Sequence, residues 1–135
     1  MPKKNIIVVT GGSGRFAQSL KKTKSKYKFI YPSKNLLNIT NLNSIKKFLK
    51  KVRPKSVLHL AALSRPMTEH DKNIAKSINL NIVGTANLVN ICSQLKIKLI
   101  YFSTNYVYPG KKGDYKEYDP VLPWNNYAWS KLGGE

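Results

Sequence analysis

The stretch NIIVVTGGSGRFA, Asn5 to Ala17, constrains this chain most. Ile6 to Val9 form an uninterrupted β-branched run, which suits a strand covered on both faces, as in a parallel sheet, better than a half-exposed strand whose residues alternate. The run breaks at Gly11-Gly12, and a helix is predicted from about Gly14 to Lys22. A helix amino terminus behind a glycine-rich turn offers unpaired backbone N–H groups and a positive dipole end to an anion. Gly11, Gly14 and Ala17 are spaced three apart: the first two positions need glycine for the turn and for close backbone approach, and the third needs only a small residue for helix packing. A tight strand-to-helix loop would also account for the glycines. The rest of the chain favours a dinucleotide pyrophosphate site.

That rest alternates. YKFIY, Tyr27 to Tyr31, reads as a second strand closed by Pro32, and Leu42, Ile45, Leu49 and Val52 recur at helical spacing before Pro54. SVLHL, Ser56 to Leu60, reads as a third strand. A long helix is predicted from about Asp71 to Leu95 on the pattern Ile74, Ile78, Ile82, Leu88 and Ile91, and IKLIYF, Ile97 to Phe102, reads as a fourth strand. An irregular aromatic stretch runs from Ser103 to Trp124, and a helix begins at Asn125. This order predicts an α/β fold, a doubly wound parallel sheet of Rossmann-like type, with ligands at the carboxyl ends of its strands. At 135 residues the chain has room for one domain of ordinary size.

The net charge of +18 raises a nucleic-acid partner. Of the 24 basic residues only Arg15, Arg53 and Arg65 are arginine, whereas base readout favours arginine forks, and few aromatics interleave the lysine runs. Nucleic acid is therefore not expected as the partner, but attraction of anionic ligands is. No apolar run is long enough to span a membrane. The opening MPKKNIIVVTGG reads as a strand rather than a signal peptide. One cysteine, Cys92, fits a reducing compartment, and the protein is expected in the cytoplasm. His59 lies inside an apolar strand and is expected to be packed; His70 has no partner at ligand spacing, so no metal site is expected.

NAD-preferring folds place an acid after the second strand, at the adenosine ribose. Here the segment is YPSKN, without a carboxylate, and Ser33, Lys34 and nearby Arg15 suit a 2′-phosphate instead. NADP(H) is expected over NAD(H). Near the end of the sequence, YAWSK places Tyr127 and Lys131 four apart, on one helical face, where an ammonium beside a phenol favours its ionised form.

TGGSGRFA, HLAA (His59 to Ala62), NIVGTANL (Asn81 to Leu88), STNYVY (Ser103 to Tyr108) and NNYAWSKLGGE (Asn125 to Glu135) follow the order and spacing of extended short-chain dehydrogenases/reductases. Within them, Ser103 to Glu135 most resembles the dTDP-4-dehydrorhamnose reductases, and NLLNITN resembles the segment after that family's second strand. Asn105 stands where that family usually has an acid, Trp129 replaces a small or basic residue, and HLAALSRP and NIVGT look more like nucleotide-sugar epimerases and dehydratases.

The resemblance implies a nucleotide-sugar substrate and NADPH as hydride donor. It implies that Tyr127 protonates the sugar's 4-keto oxygen, Lys131 holds the nicotinamide ribose, Thr104 hydrogen-bonds the substrate oxygen and Asn81 fixes a water or the helix backbone. Gly11, Gly14, Arg15, Phe16, Ser33, Lys34, Asn38, Ile39, Ala61, Ala62, Asn81, Tyr127 and Lys131 would contact the cofactor. Because relatives continue further, residues 1–135 are expected to be a truncated cofactor domain, incomplete at its carboxyl terminus and without the substrate domain. Self-association, or pairing with a complementing carboxyl-terminal half, is expected of it. An epimerase or dehydratase fragment and a non-catalytic NAD(P)-binding subunit remain alternatives.

Overall fold

The computed structural model describes residues 3–135, so Met1 and Pro2 of the opening segment lie outside the described residues. Four strands, β1 (Lys3–Thr10), β2 (Lys28–Ile30), β3 (Pro54–His59) and β4 (Lys98–Tyr101), form one sheet in the order β2-β1-β3-β4. Every pairing is parallel. The chain leaves β1 to one side for β2 and returns to its other side for β3, so the strand order reverses between β1 and β3. Ligands of open α/β sheets bind at such a reversal, beyond the carboxyl ends of the strands.

Helix α1 (Arg15–Lys21) follows β1, and α2 (Leu42–Val52) precedes β3. Val8 and Val9 point to opposite faces of β1, as successive strand residues must, and both are fully buried, so the central strand is covered on both sides. One cover is the main core, where Val8 and Val57 meet Ile45 and Leu49 of α2 and Leu88, Ile91 and Cys92 of α5 (Gly84–Gln94). Ala17, the small residue of the glycine motif, is buried on α1. Asn41 caps α2 by accepting Ser44 N–H at 3.0 Å. At the other end Arg53 adopts a left-handed backbone, φ 50°, and donates to Leu49 O, which turns the chain so that Pro54 becomes the first residue of β3.

The long helix predicted from Asp71 to Leu95 is not one helix. A short α3 (Glu69–Lys72) ends at Asn73, whose φ of −140° is non-helical and whose side chain caps the next helix by accepting Lys76 N–H. Helix α4 (Ile74–Ile78) then passes through a π-helical turn at Asn79–Val83 into α5. A π turn inserts one residue and rotates the helix face by roughly 100°. Ile74 and Ile78, which continue the apolar stripe in sequence, are therefore exposed, while Leu88 and Ile91 are buried. Among the described residues β4 is an edge strand, and Ile100 within it and Phe102 just past its end are exposed. Helix α6 (Asn126–Gly134) packs on the π turn so closely that a Cβ on Gly134 would meet the Asn81 carbonyl oxygen at 3.0 Å.

The α2 packing gives a direct contrast. Leu49→Ala should cost about 2–5 kcal/mol of unfolding free energy, whereas Leu42→Ala, on the exposed side of the same helix, should stay within about 0.5 kcal/mol. Urea unfolding of both variants measures the difference.

Candidate functional site

At the strand reversal lies a cleft of about 720 Å³, floored by Thr10 to Gly14 and by Leu60, Ala61 and Ala62, and walled by Tyr31 to Lys34 and Leu37 to Ile39. Gly11 has φ +71°, and a Cβ there would lie 2.8 Å from Ala61 N and 2.9 Å from the Leu60 carbonyl carbon. Only glycine fits both the backbone and the approach of the two strand ends. Gly14 N–H bonds back to Gly11 O at 3.0 Å, closing the turn, and Gly14 then stands as the amino-terminal cap of α1 without a side chain.

Of the residues expected at a cofactor, Gly11, Gly14, Ser33, Lys34, Asn38, Ile39, Ala61 and Ala62 come together in this one lining. Arg15 and Phe16 do not line it. They form the first turn of α1, with Phe16 half exposed and its ring 5.2 Å from that of Phe102. Among the lining side chains that the motif reading missed are Gln18, Lys21 and Tyr31. Gln18 Nε2 and Lys21 Nζ both donate to Gly12 O, at 2.9 and 3.0 Å, and Lys21 Nζ stands 4.8 Å from the Tyr31 ring centre. No Asp or Glu lines the cleft. The Tyr31 hydroxyl is buried without a hydrogen-bond partner among the described residues, and burial pushes its pKa up. A last-turn lysine in a lysine-rich chain carries no signal of its own; only the return of α1 over the glycine turn singles it out.

Thr104, Tyr127 and Lys131 lie outside that lining, around the start of α6 and the end of β4. Thr104 caps a 3-10 turn at Asn105–Val107, accepting Tyr106 N–H at 3.3 Å, so its own hydroxyl proton is left for another acceptor. This turn packs on α6. The Tyr127 ring meets Tyr106 edge-on at 6.1 Å and His70 edge-on at 5.2 Å, so two rings fix its plane. Asn125 caps α6 by accepting Ala128 N–H at 2.7 Å, and Asn126 Nδ2 reaches Asp71 at 2.8 Å.

Lys131 is almost fully buried, and its Nζ donates to Phe102 O at 2.6 Å and sits 4.3 Å from the Tyr101 ring centre. No hydrogen bond joins it to Tyr127 among the described residues. Burial pulls the Lys131 pKa down to about 8, against a smaller opposing attraction from Glu135. Asn81 is equally buried and holds no free side-chain donor: Oδ1 accepts Leu63 N–H at 2.7 Å, and Nδ2 donates to Leu63 O and Ser130 Oγ, each at 2.8 Å. It ties the loop after β3 to α6. His59, expected to be packed, is 1% exposed, and burial with the nearby Lys131 charge lowers its pKa to about 4. No group of three or more His, Cys, Asp or Glu converges among the described residues.

The sequence pattern of the RmlD substrate binding domain family matches residues 4–135. The chain belongs to this family. Among similar proteins, dTDP-4-dehydrorhamnose reductase of Aggregatibacter actinomycetemcomitans is 26% identical over 96% of this chain and 45% of its own length. Methionine adenosyltransferase 2 subunit beta of Pongo abelii is 27% identical over 96% of this chain and 41% of its own. The structure of dTDP-4-dehydrorhamnose reductase from Bacillus anthracis in complex with NADP superimposes with a TM-score of 0.91 at 28% identity, covering 97% of this chain and 48% of that one. The chain thus spans about half the length of its RmlD-family relatives.

The buried Lys131 gives a pH prediction. Its folded pKa lies below the ordinary lysine value of 10.5, so the folded state binds fewer protons between pH 8 and 10.5 and stability rises with pH across that window. Lys131→Met removes the buried charge. The stability of this variant relative to the parent should therefore be greatest below about pH 8 and should fall as pH rises toward 10.5. Urea unfolding of both proteins at pH 7 and pH 10 reads this; a difference independent of pH contradicts the assignment.

Proposed function

We propose that this chain is the cofactor-binding half of an NADPH-dependent reductase of a nucleotide-linked 4-keto sugar, similar to dTDP-4-dehydrorhamnose reductase, acting in the cytoplasm. The observation that carries the reading is the cleft at the strand reversal. Gly11 leaves its backbone open where the two strand ends meet, the glycine turn leading into α1 lines it, and no carboxylate does. This fits a dinucleotide diphosphate. Ser33, Lys34 and the missed Lys21, together with the unpartnered Tyr31 hydroxyl, fit an added 2′-phosphate. The NADP complex of the Bacillus anthracis relative supports the same choice.

When bound, NADPH supplies a hydride to the sugar carbonyl. The chain's residues do the rest. Tyr127, its ring held between Tyr106 and His70, delivers a proton to the reduced oxygen. Lys131, with a pKa of about 8, brings a cation that switches near working pH, and Thr104 donates its free hydroxyl proton to the same substrate oxygen. The sugar's nucleotide would be held largely by protein beyond this half. The open edge of β4 and the exposed Ile100 and Phe102 support covering of this side by a complementing carboxyl-terminal half, or by a second copy of the isolated chain. A second reading, a non-catalytic NADP-binding subunit, takes its support from the similarity to methionine adenosyltransferase 2 subunit beta. An epimerase or dehydratase reading rests on HLAALSRP and NIVGT alone.

Fluorescence titration at fixed salt should show NADPH bound more tightly than NADH, and Lys21→Met should erase much of that preference while leaving NADH affinity within about twofold. Equal affinities in the parent chain contradict the cofactor assignment.

In a form completed with a carboxyl-terminal half, Tyr127→Phe should lower turnover of a dTDP-4-keto sugar by about 10²–10⁴ with NADPH affinity little changed. The isolated chain should show no turnover and a solution mass above that of a monomer. Undetectable turnover in the completed parent protein would support the subunit reading instead.

A further inference from the structure

His59 is buried at the carboxyl end of β3 with both ring nitrogens engaged: Nδ1 stands 2.9 Å from Thr10 Oγ1 and Nε2 stands 2.9 Å from Thr85 Oγ1. The neighbours decide where its proton is. Thr10 Oγ1 receives two backbone N–H groups, from Leu60 at 3.1 Å and Ala61 at 3.0 Å, which occupy both of its lone pairs. Its hydroxyl proton is all it has left to offer His59, so Nδ1 accepts. A neutral ring that accepts at Nδ1 carries its proton at Nε2. Thr85 Oγ1 spends its own proton on Asn81 O at 2.8 Å and is free to accept from Nε2. Every hydroxyl and ring nitrogen in the row is satisfied in one direction only. An imidazolium would present a second donor to Thr10, whose oxygen has no lone pair to receive it.

The row connects the glycine turn with the π turn on which α6 packs. At one end Thr10 holds Leu60 and Ala61 against the glycine turn, where Gly11 leaves no room for error. At the other, Thr85 fixes the Asn81 carbonyl in the π turn, and the Asn81 side chain grips Ser130, which donates to Tyr127 O at 2.7 Å. We infer that His59 is a positioning residue, fixed as the neutral Nε2–H tautomer, which sets the glycine turn and the helix bearing Tyr127 and Lys131 in one register. Its geometry stands by itself; its value to catalysis rests on the reductase reading above.

Long-range ¹H–¹⁵N correlation spectra of the labelled chain should show the His59 proton on Nε2 and unchanged from about pH 5.5 to 8. A proton on Nδ1, or titration of this ring within that window, overturns the inference without any variant. Thr85→Val keeps the side-chain shape and removes both the acceptor for His59 Nε2 and the donor to Asn81 O, while Thr85→Ser keeps both. Valine should shift the backbone amide resonances of both Gly11–Gly14 and Ala128–Lys131 and weaken NADPH binding about tenfold, the equivalent of one hydrogen bond. Serine should restore both to near the parent values. Shifts confined to α5 with NADPH affinity unchanged overturn the inference. If the parent chain binds no NADPH, the cofactor reading fails, and the amide shifts of the valine and serine variants still decide the positioning role.

Discussion

The close approach of two parallel strand ends is the constraint on which the rest depends. β1 and β3 run side by side to Thr10 and His59, and just beyond them Gly11 and Ala61 come so near that no side chain fits between them. A left-handed glycine turns the chain there, α1 starts behind Gly14 as its cap, and the cleft opens above. Thr10 and His59 then convert strand pairing into a hydrogen-bonded row that reaches α6. The glycine turn and the helix bearing Tyr127 and Lys131 are thus linked through Thr10, His59, Thr85 and Asn81.

The parts of the sequence with strong local chemistry were legible. β1 and its turn follow from a β-branched run meeting glycine, and α2 follows from the helical spacing of Leu42, Ile45, Leu49 and Val52 before Pro54. The segment from Asp71 to Leu95 was misread because hydrophobic spacing assumes a constant turn. Asn73 interrupts the helix and the π turn at Asn79–Val83 shifts its phase, and Asn81 stands in that turn. Side-chain roles were less legible than backbone ones. Asn81 holds a loop and a helix together with all its donors engaged, Lys131 reaches Phe102 O, and Lys21 enters the cleft from the far end of α1. Each of these depends on which elements meet in space, which spacing along the chain does not encode.

Charge is distributed unevenly in a way that suits the cleft. All six acids lie from Glu69 onward, so the first half of the chain, which supplies β1, α1, β2 and the cleft walls, carries no carboxylate. An anionic ligand meets no like charge there, and the surrounding lysines raise its local concentration in a salt-dependent manner.

The central claim is that the strand reversal, and not some other part of this basic surface, receives the dinucleotide. Amide chemical-shift mapping of the labelled chain during an NADPH titration tests it most directly. The account predicts perturbations at Gly11–Gly14, at Ser33 and Lys34, and at Ala61 and Ala62, extending to Tyr127. Perturbations centred instead on the lysines at the opposite end of the strands, Lys24 to Lys28, Lys55, Lys96 and Lys98, would contradict it.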